Sequence, residues 1–144
     1  MKPFVVSRDT GLSTAAAWAR VTDWPAHARW VPLTAIEVTT PLPNGVGTVF
    51  NARTEAGGIG FDDPMEIVEW QPPVDGGAGR CRLEKRGTVM IGWAELAVTP
   101  TAGGSRSTWT EAAKPAWLPA VTDGVCAFVG RLVFGRVLRG LLES

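Results

Sequence analysis

The chain has 144 residues, with 14 basic and 14 acidic side chains, seven Trp, one His, two Cys and no Tyr. A formal net charge of zero excludes a long-range field that attracts nucleic acid or anionic lipid. One imidazole excludes a two-histidine metal site, two thiols exclude a disulfide framework or a four-thiolate zinc site, and the missing phenol excludes tyrosine acid or nucleophile chemistry.

The N-terminal run Phe4-Val5-Val6 meets charge at Arg8 and Asp9, too soon for the apolar core of a secretory signal, so a cytoplasmic chain with reduced thiols is expected. Residues 3–10, rich in Phe, Val and Thr, predict a first strand. Ser13 is the expected cap of a short helix over 14–21, which holds three consecutive alanines. Pro25 suits a first helical turn and predicts a second short helix over 25–30, closed by Val31-Pro32. Strand signals follow at 35–40, 47–55, 64–71, 80–86, 88–99 and 105–113, separated by Pro- and Gly-rich turns. Pro115 and Pro119 then lead into a long helix over about 120–142. Asp123, Arg131, Arg136 and Arg139 interrupt that helix too often for a membrane span.

Strand, two short helices, six strands and a long helix describe one α+β domain over 1–144, with an antiparallel sheet of about seven strands. So many strands must curl or be covered on one face, and only the terminal helix is long enough to cover them. A curved sheet around one helix leaves a space between the two.

The terminal helix has two apolar stripes. Val125, Phe128, Val129 and Leu132 form one, and Phe134, Val137, Leu138 and Leu141 form the other, almost diametrically opposed. Core packing explains one stripe; the other is free to line a ligand space or a homodimer contact. Period-two counting places Thr48, Phe50, Ala52 and Thr54 on one strand face, and Asn51, Arg53 and Glu55 on the other. In the 88–99 strand, Ile91, Trp93 and Glu95 share a face and Met90, Gly92, Ala94, Leu96 and Val98 share the opposite one, so coverage on both sides is expected. Ser107, Trp109, Glu111 and Ala113 share a face, as do Ile67 and Glu69. Gly57-Gly58-Ile59-Gly60 lacks the lysine and helix of a phosphate loop, and no cofactor is expected.

This order of elements resembles the START-like, Bet v 1-like (SRPBCC) superfamily of helix-grip proteins, in its bacterial polyketide cyclase/dehydrase and lipid-transport branch. The resemblance rests on Ala17-Trp18-Ala19-Arg20-Val21-Thr22-Asp23, Ala28-Arg29-Trp30-Val31-Pro32, Gly45-Val46-Gly47-Thr48-Val49-Phe50, Ile67-Val68-Glu69-Trp70-Gln71-Pro72-Pro73 and Gly103-Gly104-Ser105-Arg106-Ser107-Thr108-Trp109, and spans nearly the whole chain. It implies a cavity between sheet and helix that holds a hydrophobic small molecule, and it supplies no fixed catalytic motif. Phe50, Trp93, Trp109, Phe128 and Leu132 are expected to line that cavity, with Arg53, Glu95 or Glu111 orienting a polar end. His27, at the expected entrance, and the carboxylates Glu95 and Glu111 are the acid–base candidates. Cys81 and Cys126 lack features that would activate a thiol, and no metal site is expected. Three functions follow as expectations: binding or carriage of a lipid or polyketide-like compound, acid–base turnover of such a compound, or docking through the terminal helix. No nucleic-acid partner and no stable membrane insertion are expected.

Overall fold

A computed structural model describes residues 1–143. Strand β1 (Phe4–Thr10) leads to helix α1 (Thr14–Val21) and to α2 (Trp24–His27), which continues as a single 3-10 turn over Ala28–Trp30. Six strands follow: β2 (Thr34–Val38), β3 (Val49–Ala56), β4 (Ile59–Gln71), β5 (Gly79–Lys85), β6 (Met90–Thr101) and β7 (Gly104–Pro115). A 3-10 turn (Ala120–Thr122) then enters α3 (Asp123–Glu143). All strand pairs are antiparallel, in the order β1-β7-β6-β5-β4-β3-β2. The sheet curls into a half-barrel that grips α3, the helix-grip arrangement expected from the order of elements.

Local chemistry explains the helical ends. The Ser13 hydroxyl accepts from the Ala16 N–H at 3.1 Å, which satisfies one of the donors left free at the start of α1. Thr14, Ala17, Trp18 and Val21 then lie along one buried face at spacings of three and four. Pro25 sits in the first turn of α2, where its missing N–H removes no helical bond. This second helix is shorter than the expected 25–30, because its last three residues tighten into the 3-10 turn.

Most strand ends fall within two residues of expectation; the start of β4 does not. β4 begins at Ile59, five residues before the predicted start at Pro64, because a two-residue turn pairs Ala56 directly with Ile59. The 88–99 strand begins at Met90 and runs on to Thr101. A bulge between Ile67 and Glu69 also overturns the expectation that these two share a face. Two residues of β4 advance the partner by one, from Leu83 to Arg82, so Ile67 points into the core and Glu69 out toward Arg80.

The concave face of the sheet forms the core together with α1, α2 and the C-terminal half of α3. Ala94, Leu96 and Val98 of β6 are buried there, whereas Ile91, Trp93 and Glu95 lie on the convex face, partly exposed with no helix over them. The expected coverage of both faces of this strand therefore does not occur. Its convex face is occupied by charge: Arg82 lies over the Trp93 ring at 4.6 Å.

The two stripes of α3 are treated very differently. Val137, Leu138 and Leu141 are buried, while Val125, Phe128 and Leu132 are 66%, 59% and 61% exposed. The N-terminal half instead turns Ala127 and Gly130 toward the sheet. Small residues are required there, since a Cβ on Gly130 would lie 2.4 Å from the Phe4 ring. Among the described residues, no helix is long and apolar enough to cross a membrane.

Candidate functional site

Strand parity brings one set of side chains to a cavity of about 130 Å³ between the sheet, α2 and α3. Phe50 and Ala52 enter from β3, Asp63 and Met65 from β4, Leu83 and Lys85 from β5, and Trp109 and Glu111 from β7. Two aromatic pairs form walls. Trp24 stacks on Phe50 with centroids 4.6 Å apart and planes 8° from parallel, and Trp109 meets Phe134 at 4.6 Å. His27 fits between Trp24 and Trp109, 5.5 and 5.3 Å away.

The middle of the sheet makes room for this space. β6 crosses between Lys85 and Glu111, and it offers Gly92 and Ala94 on that face. Gly92 adopts φ of +138°, and a Cβ there would fall 1.9 Å from the Ala112 carbonyl oxygen. Only glycine satisfies both conditions.

The polar end is made by three residues. Lys85 donates to Asp63 Oδ2 at 2.6 Å and lies 3.8 Å from Met65 Sδ. The pair is almost dry, with side-chain exposures of 6% and 12%. Asp63 Oδ1 is buried with no hydrogen-bond partner among the described residues. Glu111 is 4% exposed. No ion pair or well-formed hydrogen bond holds its carboxyl among the described residues. Burial raises its pKa; the Lys85 charge opposes that, the Asp63 charge adds to it, and the nearby Trp109 indole N–H lowers it without closing a full hydrogen bond. A carboxyl so placed favours its neutral form, which can donate as well as accept.

His27 is not at an entrance. It is 5% exposed, and its Nε2–H donates to the Val21 carbonyl at 2.8 Å. A carbonyl can only accept, so Nε2 carries the ring proton and Nδ1 is the acceptor. Burial lowers the pKa to about 4, against smaller opposite effects of the Val21 bond and the Asp23 charge. The ring is therefore neutral near pH 7 and is too weak a base to hold a proton there.

A second space lies between the N-terminal half of α3 and the sheet, bounded by Phe4, Val129 and Val133. It shares Val31, Met90, Glu111 and Phe134 with the inner cavity, so these four residues form the partition between the two.

Of the residues singled out in the sequence, the structure places Phe50, Trp109, His27 and Glu111 on the cavity. The other five lie elsewhere. Arg53 is on the convex face, paired with Asp62 at 3.3 Å and Glu55 at 3.5 Å, because it alternates with Phe50 and Ala52. Trp93 and Glu95 share that outer face; Glu95 Oε1 accepts from Arg80 at 2.9 Å and Arg82 at 2.7 Å, on the side of the sheet away from the cavity. Phe128 and Leu132 point to solvent, because the opposite stripe of α3 is the one that packs. Asp63 and Lys85 are the functional candidates that sequence reading missed. Asp63 fell outside the predicted strand, although its spacing of two and four from Met65 and Ile67 is the signal that finds it. Of the two thiols, Cys81 is buried in the core, and burial pushes it up to about 12.

Solved structures with the same architecture span this chain almost end to end. A START superfamily protein from Mycobacterium smegmatis aligns with a TM-score of 0.73 at 11% identity, covering 98% of this chain and 97% of that one. A protein from Thermus thermophilus gives 0.72 at 17% identity, covering 99% and 95%. A fragment of a STAR-related lipid transfer protein from Xanthomonas axonopodis gives 0.69 at 18% identity, covering 99% and 86%. No curated protein sequence matches. The sequence profile described as polyketide cyclase/dehydrase and lipid transport matches residues 1–143, so this chain belongs to that family.

Proposed function

We propose that this protein binds and carries a hydrophobic small molecule, lipid or polyketide-like, in the cavity between its sheet and α3. The observation that carries this reading is the aromatic-walled cavity beside a short polar end, the usual composition of a small-molecule site. Membership of a family described by polyketide cyclisation, dehydration and lipid transport agrees with it, as does the fold shared with a STAR-related lipid transfer protein. Native mass spectrometry of freshly purified protein, followed by organic extraction, tests it. A retained apolar mass, displaced when Trp109 is replaced by Ala, is expected. A cavity that stays empty in the cell extract and takes up no apolar probe overturns it.

One observation favours acid–base turnover as a second reading. Glu111 is a buried carboxyl without a direct partner, beside the cationic Lys85, an arrangement that can lend and recover a proton. Under that reading Glu111→Gln keeps ligand binding and abolishes conversion of the bound compound, measured by mass of the product. Equal conversion by the variant removes Glu111 from any catalytic role.

A further inference from the structure

We infer that the inner cavity seats a single neutral ring bearing a hydroxyl or keto oxygen, with that oxygen against Asp63, Lys85 and Glu111 and the ring between the Trp24–Phe50 and Trp109–Phe134 pairs. This rests on the cavity being the ligand site.

Size comes first. At about 130 Å³, the inner cavity matches the scale of an apolar protein cavity of ~150 Å³ that holds benzene, and falls below the ~300 Å³ of common drug-sized pockets. One six-membered ring with a small substituent fills it. A fused polycycle does not fit within it, and a longer appendage has to leave past the Phe134–Met90 partition into the space under α3.

Charge comes second. The titratable groups that face this space are His27 from α2, Asp63 from β4, Lys85 from β5 and Glu111 from β7. Asp63 and Lys85 already neutralise each other at 2.6 Å. His27 is neutral near pH 7, and burial favours the neutral form of Glu111. The one cation lining the site is thus already paired. A carboxylate or phosphate would bring an uncompensated negative charge into an apolar pocket whose one cation is taken. An ammonium group would face Lys85 at the same end. A neutral ligand disturbs neither pair.

Hydrogen-bond capacity comes third. Asp63 Oδ1 is a buried acceptor with no donor, and it matches a ligand hydroxyl. Lys85 has N–H groups beyond the one given to Asp63, and these match a ligand oxygen as acceptor, while the Glu111 carboxyl adds a further hydrogen-bonding group at the same end. A hydroxyl satisfies both kinds of partner, and a keto oxygen satisfies the donors. A plain hydrocarbon leaves all of them unmet.

Four probes of one ring each separate the alternatives: phenol, benzene, benzoate and benzylamine, titrated at pH 7 by ligand-observed NMR and calorimetry. Phenol is expected to bind about tenfold more tightly than benzene, the effect of a hydrogen bond to a charged partner. Benzoate and benzylammonium are expected to bind at least tenfold more weakly than phenol. Glu111→Gln retains the phenol preference, because an amide keeps a donor and an acceptor in the same place, whereas Glu111→Leu weakens it, leaving only Asp63 and Lys85 to meet the hydroxyl, with benzene affinity little changed. The wild-type panel decides the matter alone if Glu111→Leu fails to fold. Benzoate binding as tightly as phenol overturns the inference in favour of an anion site at Lys85, and benzylammonium binding best overturns it in favour of a cation site at the carboxyls. Equal phenol and benzene affinities overturn it while leaving a hydrophobic-ligand cavity in place. Binding of none of the four overturns both.

Discussion

His27 and Glu111 are buried ionisable residues packed around the same cavity, and their protons pull stability in opposite directions with pH. Above pH 6.5 the His27 ring is neutral whether the chain is folded or not. Below that value the unfolded ring takes a proton that the folded ring refuses until about pH 4. Stability is therefore lost as pH falls through this window, by about 3 kcal/mol in all. Glu111 acts with the opposite sign. Its folded pKa lies above its unfolded value, so its favourable contribution is present at low pH and is lost as pH rises through the folded pKa. Urea unfolding across pH 4–9 checks both. His27→Gln, which keeps a donor for the Val21 carbonyl, should flatten the acid limb, and Glu111→Gln should reduce the loss of stability that accompanies rising pH above the range of an ordinary carboxyl. Unchanged slopes in either variant would show that the residue titrates normally. Glu95 makes a useful contrast, since its two arginine partners and its place on the convex face predict no effect of Glu95→Gln on ligand affinity.

At the scale of elements, α3 is two helices in one. Its C-terminal half is anchored by Val137, Leu138 and Leu141, and its N-terminal half lies over a space while presenting Phe128 and Leu132 outward. Leu138→Ala should cost ~2–5 kcal/mol as a core truncation, whereas Leu132→Ser should stay within about 0.5 kcal/mol. The glycines of α3 give a sharper test. Alanine is favoured over glycine in a helix by ~1 kcal/mol. At Gly135 nothing lies closer than 3.8 Å to the added methyl, so Gly135→Ala should stabilise. At Gly130 the methyl meets Phe4, which is buried and stacked on Phe134, so Gly130→Ala should destabilise through overpacking. Thermal melts of the two variants that moved in the same direction would contradict this packing.

Much of the whole molecule was legible from local signals. The cap at Ser13, the proline at the start of α2 and the alternation of β3 and β7 all report nearest-neighbour physics, and they place Phe50, Trp109 and Glu111 on the inner face. What local signals do not contain is which of two apolar faces the fold covers. Trp93 and Leu96 look equally suited to a core, and so do Leu132 and Leu138; only the curl of the sheet and the seat of α3 choose between them. Asp63 and Lys85 were missed for a related reason, since a charged pair becomes a cavity feature only after β3, β4 and β5 are in register. The α+β class and the helix-grip order survived these errors because they depend on the sequence of elements, not on their facing.

The central claim is that a ligand enters the space between Trp24 and Trp109, and indole NMR tests it most directly. With tryptophan side chains isotope-labelled, phenol is titrated into the protein and each of the seven indole N–H signals is followed. Trp24 and Trp109 line the cavity with N–H groups that have no hydrogen-bond partner among the described residues, so their signals should shift saturably and together. Trp93 on the convex face and Trp117, 75% exposed, should stay where they are. Unmoved Trp24 and Trp109 signals, or shifts led by Trp117, would contradict an inner binding site.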